Sequence, residues 1–178
     1  MRIAFTLFGG SEWTGGINYL VNWFSAISEL PGQPIEPVLF AGLNADKEII
    51  KRFTPYISEP PVYTKLWTKR TFPYYKRYLF KLLLQRDSQV EKLFLSKGID
   101  LVFQPQSNWY GFRFKLPILA WIGDFQHRYL PEMFSKRQYW TREIGFHLLT
   151  KCATRIMVSS QNGMEDCEKF YQKSKGKV

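Results

Sequence analysis

Cysteine is scarce in this chain of 178 residues: Cys152 and Cys167 stand alone, without Cys-x-x-C spacing. A disulfide scaffold or zinc knuckle needs more thiols at closer spacing. The pair therefore reads as two small reduced hydrophobes of a cytoplasmic protein, with a disulfide or metal pair as the minor alternative. Long apolar runs are missing too. The longest, such as Leu82-Leu83-Leu84, fall far short of the roughly 20 residues that a membrane span requires. No small-residue cleavage site follows Ile3-Ala4-Phe5-Thr6-Leu7-Phe8, which reads as a first strand and not as a signal peptide. Internal repeats and low-complexity tracts are absent. Acidic residues are outnumbered, 15 against 25 Lys and Arg, for a formal charge of +10. That field favours anionic partners such as a membrane surface, a nucleic acid or a phosphorylated substrate, and leaves the fold open.

What is present fits one soluble globular core: 45% hydrophobic and 22% charged residues, in a length typical of a single domain. Four continuous apolar runs have the character of strands buried on both faces: Ile3 to Phe8, Pro37 to Ala41, Asp100 to Phe103 and Leu116 to Ile122. Arg155 to Ser159 adds a fifth, and Pro61 to Tyr63 is a weaker candidate. Between them lie helical patterns. Ile17, Leu20, Val21, Phe24, Ile27 and Leu30 form one stripe, stopped by Pro31-Gly32. A second helix is expected from about Tyr75 to Lys97, with Leu79, Leu82, Leu83, Val90, Leu93 and Phe94 inward and Gly98 as its stop. A third should occupy Arg137 to Cys152. A last one follows Ser159-Ser160, where Asn162 and Glu165 have capping-box spacing. Alternating strands and helices imply an α/β class: a Rossmann-like parallel sheet flanked by helices, one domain over residues 1–172 with a frayed polar tail at 173–178.

In such sheets ligands bind beyond the carboxyl ends of the strands. The first of those loops is glycine-rich, Gly9-Gly10-Ser11-Glu12-Trp13-Thr14-Gly15-Gly16, and leads into a helix start that suits an anion. It is neither G-x-G-x-x-G nor a P-loop. A second, Trp121 to Glu132, holds Asp124 and His127 three residues apart. On one helical turn the carboxylate would orient the imidazole as a general base; the plain alternative is a structural loop in which Asp124 caps a turn. Between Tyr63 and Arg86 seven basic residues (Lys65, Lys69, Arg70, Lys76, Arg77, Lys81, Arg86) alternate with aromatics and no acid intervenes. The pattern suits anionic lipid headgroups, or equally nucleic-acid phosphates with base stacking, or a solvated helix face. Trp109 and Tyr110 are candidates to stack on a sugar ring.

Three of these segments resemble one family. Ile3 to Gly16 with Ile17-Asn18-Tyr19-Leu20 resembles the opening of GT-B glycosyltransferases, specifically of the large retaining family four. Trp121 to Ser135 is similar to its His-Asp-Leu-Gln-His-x-x-x-Pro-Glu-x-Phe-Ser segment, and Ala153 to Tyr171 looks like the last strand and helix of its N-terminal domain. The resemblance implies the acceptor-side half of a two-domain enzyme that moves a sugar from a nucleotide sugar, as co-substrate, to a sugar or lipid-linked acceptor in cell-envelope polysaccharide synthesis. It also implies no metal and no further cofactor. Carried over, Gly15 and Gly16 would approach the donor phosphates, Asp124 and His127 would be the catalytic candidates, and Trp13, Trp109 and Arg128 would meet the acceptor. One departure is Gly123, where many relatives carry His. The family's C-terminal donor-binding domain has no counterpart within these residues, so this chain by itself is expected to have little or no transferase activity.

A non-enzymatic alternative has Lys65, Lys69, Arg70, Lys76, Arg77 and Lys81 holding the protein on the inner face of an anionic membrane. Nucleic-acid binding by the same patch is disfavoured, since no helix-turn-helix, zinc-finger or RRM signature is present. A dinucleotide-dependent oxidoreductase is disfavoured by the first loop and by Phe40-Ala41-Gly42-Leu43-Asn44, which offers no ribose-binding acid.

Overall fold

The computed structural model describes residues 1–7, 14–105 and 109–178. Six strands, β1 (Arg2–Thr6), β2 (Glu36–Gly42), β3 (Val62–Thr64), β4 (Leu101–Pro105), β5 (Ile118–Ile122) and β6 (Arg155–Val158), form one sheet in the order β3-β2-β1-β4-β5-β6. Every pair is parallel. Chain direction across the sheet reverses between β1 and β4, the topological switch point of a doubly wound fold.

Strand period divides the core. Ile3, Phe5, Leu39 and Phe103 pack on one face with Ile17, Leu20, Phe24 and Ile27 of helix α1 (Thr14–Ser28). Each such side chain contributes on the order of 1.5–3 kcal/mol by leaving water. Ala4, Val38, Phe40 and Val102 point the other way, onto Val90 and Phe94 of helix α4 (Ser88–Ser96). Ala120, Ile122 and Ile156 meet Phe146 and Leu149 of helix α6 (Lys136–Cys152) and Cys167 of helix α7 (Gln161–Phe170). The helices are α2 (Lys47–Lys51), α3 (Phe72–Leu84), α4 (Ser88–Ser96), α5 (Gln126–Tyr129), α6 (Lys136–Cys152) and α7 (Gln161–Phe170).

The single helix expected over Tyr75 to Lys97 is two. Gln85 takes a left-handed conformation at φ 53°, and Asp87 then starts α4 by accepting from the Val90 amide. The elbow is held from outside: the Asp87 amide donates to the Tyr110 carbonyl at 2.7 Å and the Arg113 amide to the Gln85 carbonyl at 2.9 Å. Gly111 allows this approach. Its φ is +101°, and a Cβ there would lie 2.3 Å from the Gln85 oxygen.

α3 also turns the reverse way. Leu79, Leu82 and Leu83, expected inside, are exposed, while Arg77 and Lys81 are buried at 3% and 4% exposure. Arg77 donates through Nε to Asp87 at 2.5 Å and lies near the rings of Trp67, Tyr78 and Tyr110. Lys81 donates to the Trp109 carbonyl and sits 4.1 Å from the Tyr78 ring centroid.

Two smaller expectations change. α7 is capped by Ser160, which accepts from the Gly163 amide at 3.0 Å, and not by an Asn162–Glu165 box. A capping box does form at Ser135–Gln138, at the start of α6. The tail is packed: Ser174 is buried, the Ile156 amide donates to the Lys177 carbonyl, and the Lys177 ammonium donates to the Thr150 carbonyl.

Candidate functional site at the carboxyl rim of the sheet

Because all six strands run the same way, their carboxyl ends share one edge. Neighbouring strands are about 4.8 Å apart, so the ends of β1, β4, β5 and β6 fall within about 15 Å of one another. Register keeps them level, with Pro105 beside Trp121 and Ile122 beside Val158. The first turn of α1, at Gly15 and Gly16, belongs to the same rim, because Tyr19 of α1 stacks on Trp121 at 4.4 Å between centroids and 7° between planes. The rim is built of small groups. Gly15, Gly123, Ser159 and Ser160 are all exposed. A Cβ on Gly15 would meet nothing within 4 Å. A Cβ on Gly123 would meet the Trp121 ring at an ordinary 3.5 Å, so a side chain would fit where the family pattern has His. The first turn of α1 carries no acidic residue.

The Asp124–His127 pair does not form. Asp124 accepts from the Gln126 amide at 3.0 Å and pairs with Arg142 at 3.0 Å, the turn-capping arrangement. His127 is fully buried, and its Nε2 lies 3.3 Å from Glu143 Oε2 and 3.4 Å from the Tyr171 hydroxyl. Burial first, then the Arg142 charge, holds the imidazole below its ordinary pKa against the opposing pull of Glu143. Sealed in the core between Glu143 and Tyr171, the His127 imidazole packs α5 against α6 and is not exposed at the rim, where a base would have to reach a ligand.

Arg128 is also engaged. It pairs with Glu143 and lies over the rings of Phe170 and Tyr171. Glu143 is thus the hub, accepting from Arg128 and from the Tyr171 hydroxyl at 3.1 Å. Sequence reasoning missed it because Arg142-Glu143 looks like any exposed pair on a helix. Only the Ser135–Gln138 cap, which sets the phase of α6, hints that position 143 turns inward.

Trp109 lies between Lys81 and Phe112 and lines a groove between α3 and α6. Trp13, with Gly9 to Glu12, lies outside the described residues. Lys65, Lys69, Arg70 and Lys76 are exposed; Arg77 and Lys81, grouped with them from sequence, are largely buried, Arg77 paired with Asp87 and Lys81 lining the same groove between α3 and α6. Both thiols are free, and burial raises them, Cys152 to about 11. Among the described residues no group of three or more His, Cys, Asp or Glu is arranged to hold a metal ion. No described helix is long and apolar enough to cross a membrane.

A six-stranded parallel sheet in this order, with helices on both faces, defines the Rossmann-like class of α/β fold. Among solved structures, the chain is similar in fold to the S. aureus MnaA-UDP co-structure: TM-score 0.53 at 14% identity, covering 97% of this chain and 41% of that one. At that identity the likeness concerns the fold. The chain spans about two fifths of the length of that structure. No protein-family model and no curated protein sequence matches the chain.

Proposed function

We propose that this chain is the acceptor-side half of a nucleotide-sugar-dependent glycosyltransferase of GT-B architecture. The observation that carries the reading is the exposed, small-residue rim that Gly15, Gly123, Ser159 and Ser160 make along the carboxyl edge of the sheet. It falls on the three segments that resemble the family. A doubly wound half like this one spans the corresponding share of a UDP-bound protein, which supports a nucleotide sugar as the ligand class. In this reading the first-turn amides of α1 face the donor phosphates, and a second domain supplies the rest of the donor pocket. Asp124 holds the rim loop by its turn and its pair with Arg142. With His127 inside the core, no imidazole of that loop reaches the acceptor, so the acceptor hydroxyl is oriented by backbone and small polar groups of the rim. The chain by itself therefore binds donor weakly and turns over little.

Amide resonances recorded during a titration with UDP test this. Shifts should cluster at Gly15, Gly16, Gly123 and Ser160, with weak affinity, and Gly15→Asp should abolish them by placing a carboxylate where the phosphates lie. Shifts confined to other edges of the sheet would overturn the reading. Tight donor binding with turnover by this chain alone would overturn the division of labour.

A further inference from the structure

α3 is an amphipathic helix fixed with its polarity reversed. Its inward stripe is Tyr74, Arg77, Tyr78 and Lys81, and its outward stripe is Phe72, Tyr75, Leu79, Leu82 and Leu83 at helical spacing. Phe72 is 77% exposed and Leu83 is 70% exposed. The reversal is anchored, not incidental, because Arg77 is locked to Asp87 and Lys81 to the Trp109 carbonyl. Soluble surfaces seldom carry so continuous an apolar stripe without an occupant.

Charge around the stripe identifies the occupant. Lys65, Lys69 and Arg70 lie exposed ahead of the helix and Lys76 beside the stripe, with no acidic residue from position 60 to 86. On the flank of α3 a groove of about 600 Å³ separates it from α6. Lys81, Trp109, Lys136, Arg137 and Trp140 line it, and no lining residue is acidic. Trp140 and Ile144 of α6 are themselves exposed. An apolar layer bordered by cations, with aromatic rings at the boundary, is the chemistry of an anionic bilayer interface.

We propose that the α3–α6 surface docks on an anionic phospholipid bilayer, with the outward stripe of α3 in the acyl boundary and a headgroup phosphate in the groove at Lys81. The inference rests on the fold and on α3, not on the sugar-transfer reading, and either can fail without the other. It replaces the sequence-based picture of a basic helix face on the membrane by an apolar face with a basic rim. Lys81 meets the phosphate from inside the groove, because its ammonium has a carbonyl and two rings for company and no paired carboxylate among the described residues.

Flotation of the full chain with phosphatidylcholine vesicles, with and without phosphatidylglycerol, tests the proposal. Wild type should partition onto the anionic vesicles and leave them as salt rises. Leu79→Asp/Leu83→Asp should lower that partition about tenfold or more with an unchanged melting curve. Lys81→Met should lower it severalfold while keeping or raising the melting temperature, a combination that a purely structural lysine would not give. Equal partition on neutral and anionic vesicles would overturn the proposal, as would double-Asp binding that matches wild type. Sedimentation of wild type as a dimer that the double-Asp variant dissolves, without vesicle binding, would show that a second copy covers the stripe and would also overturn it.

Discussion

α1 and α3 carry similar apolar stripes in sequence, yet the fold treats them oppositely. The stripe of α1 is sealed against β1, β2 and β4, and its polar side faces solvent. In α3 the cations are sealed and the leucines face out. Hydrophobic spacing says that a helix has two sides; it does not say which side the core takes. For α3 the decision comes from partners far along the chain: Asp87 at the start of α4 for Arg77, and the Trp109 carbonyl for Lys81.

Removing a partner should break that arrangement most severely. Asp87→Ala leaves the Arg77 guanidinium buried without its carboxylate and also deletes the cap of α4, so unfolding in urea should show a loss of about 3–5 kcal/mol. Retention of wild-type stability would mean that Arg77 is not the anchor of α3. In α1, Phe24→Ala opens a cavity between Phe5 and Phe53 and should cost about 3–5 kcal/mol in the same assay. Lys81 works in the other direction. Burial first, then the Arg77 charge, lowers its pKa from 10.5 to about 8, so folding is penalised for each charged Lys81. Lys81→Met should therefore stabilise the chain by about 1–3 kcal/mol at neutral pH.

A finer effect concerns the α5–α6 contact. His127 titrates lower in the folded chain than its ordinary 6.5. As pH falls below that value, the unfolded chain takes up a proton that the folded imidazole refuses. Its contribution is thus complete above about pH 6.5 and declines on acidification until the folded imidazole also protonates. The stability difference between wild type and His127→Phe, measured at about pH 7 and about pH 5, should shift against wild type at the lower pH.

The inner sheet was legible in the sequence because β1, β2, β4 and β5, buried on both faces, read as unbroken apolar runs, and the less buried edge strands β6 and β3 stand close to the fifth stretch and the weaker candidate. α1 was legible from the three- and four-residue spacing of its apolar stripe. The break at Gln85 was not, since nothing in Leu84-Gln85-Arg86 is a helix breaker; the kink is imposed by Gly111 and Tyr110 from another loop. Of the candidate site, the rim was readable, because strand ends in a parallel sheet must coincide. The fate of its polar residues was not. Asp124 and His127 have spacing that permits a pair, but Arg142 and Glu143, brought by α6, compete for each and win.

The reversed polarity of α3 is tested most directly by paired substitutions of matched chemistry in the two helices, followed by chemical denaturation. Leu79→Asp/Leu83→Asp should leave the unfolding midpoint within about 0.5 kcal/mol of wild type, because both side chains already face water, whereas Leu20→Asp/Phe24→Asp should prevent folding. A chain that unfolds equally in both variants would contradict the account, for it would put the leucines of α3 in the core after all.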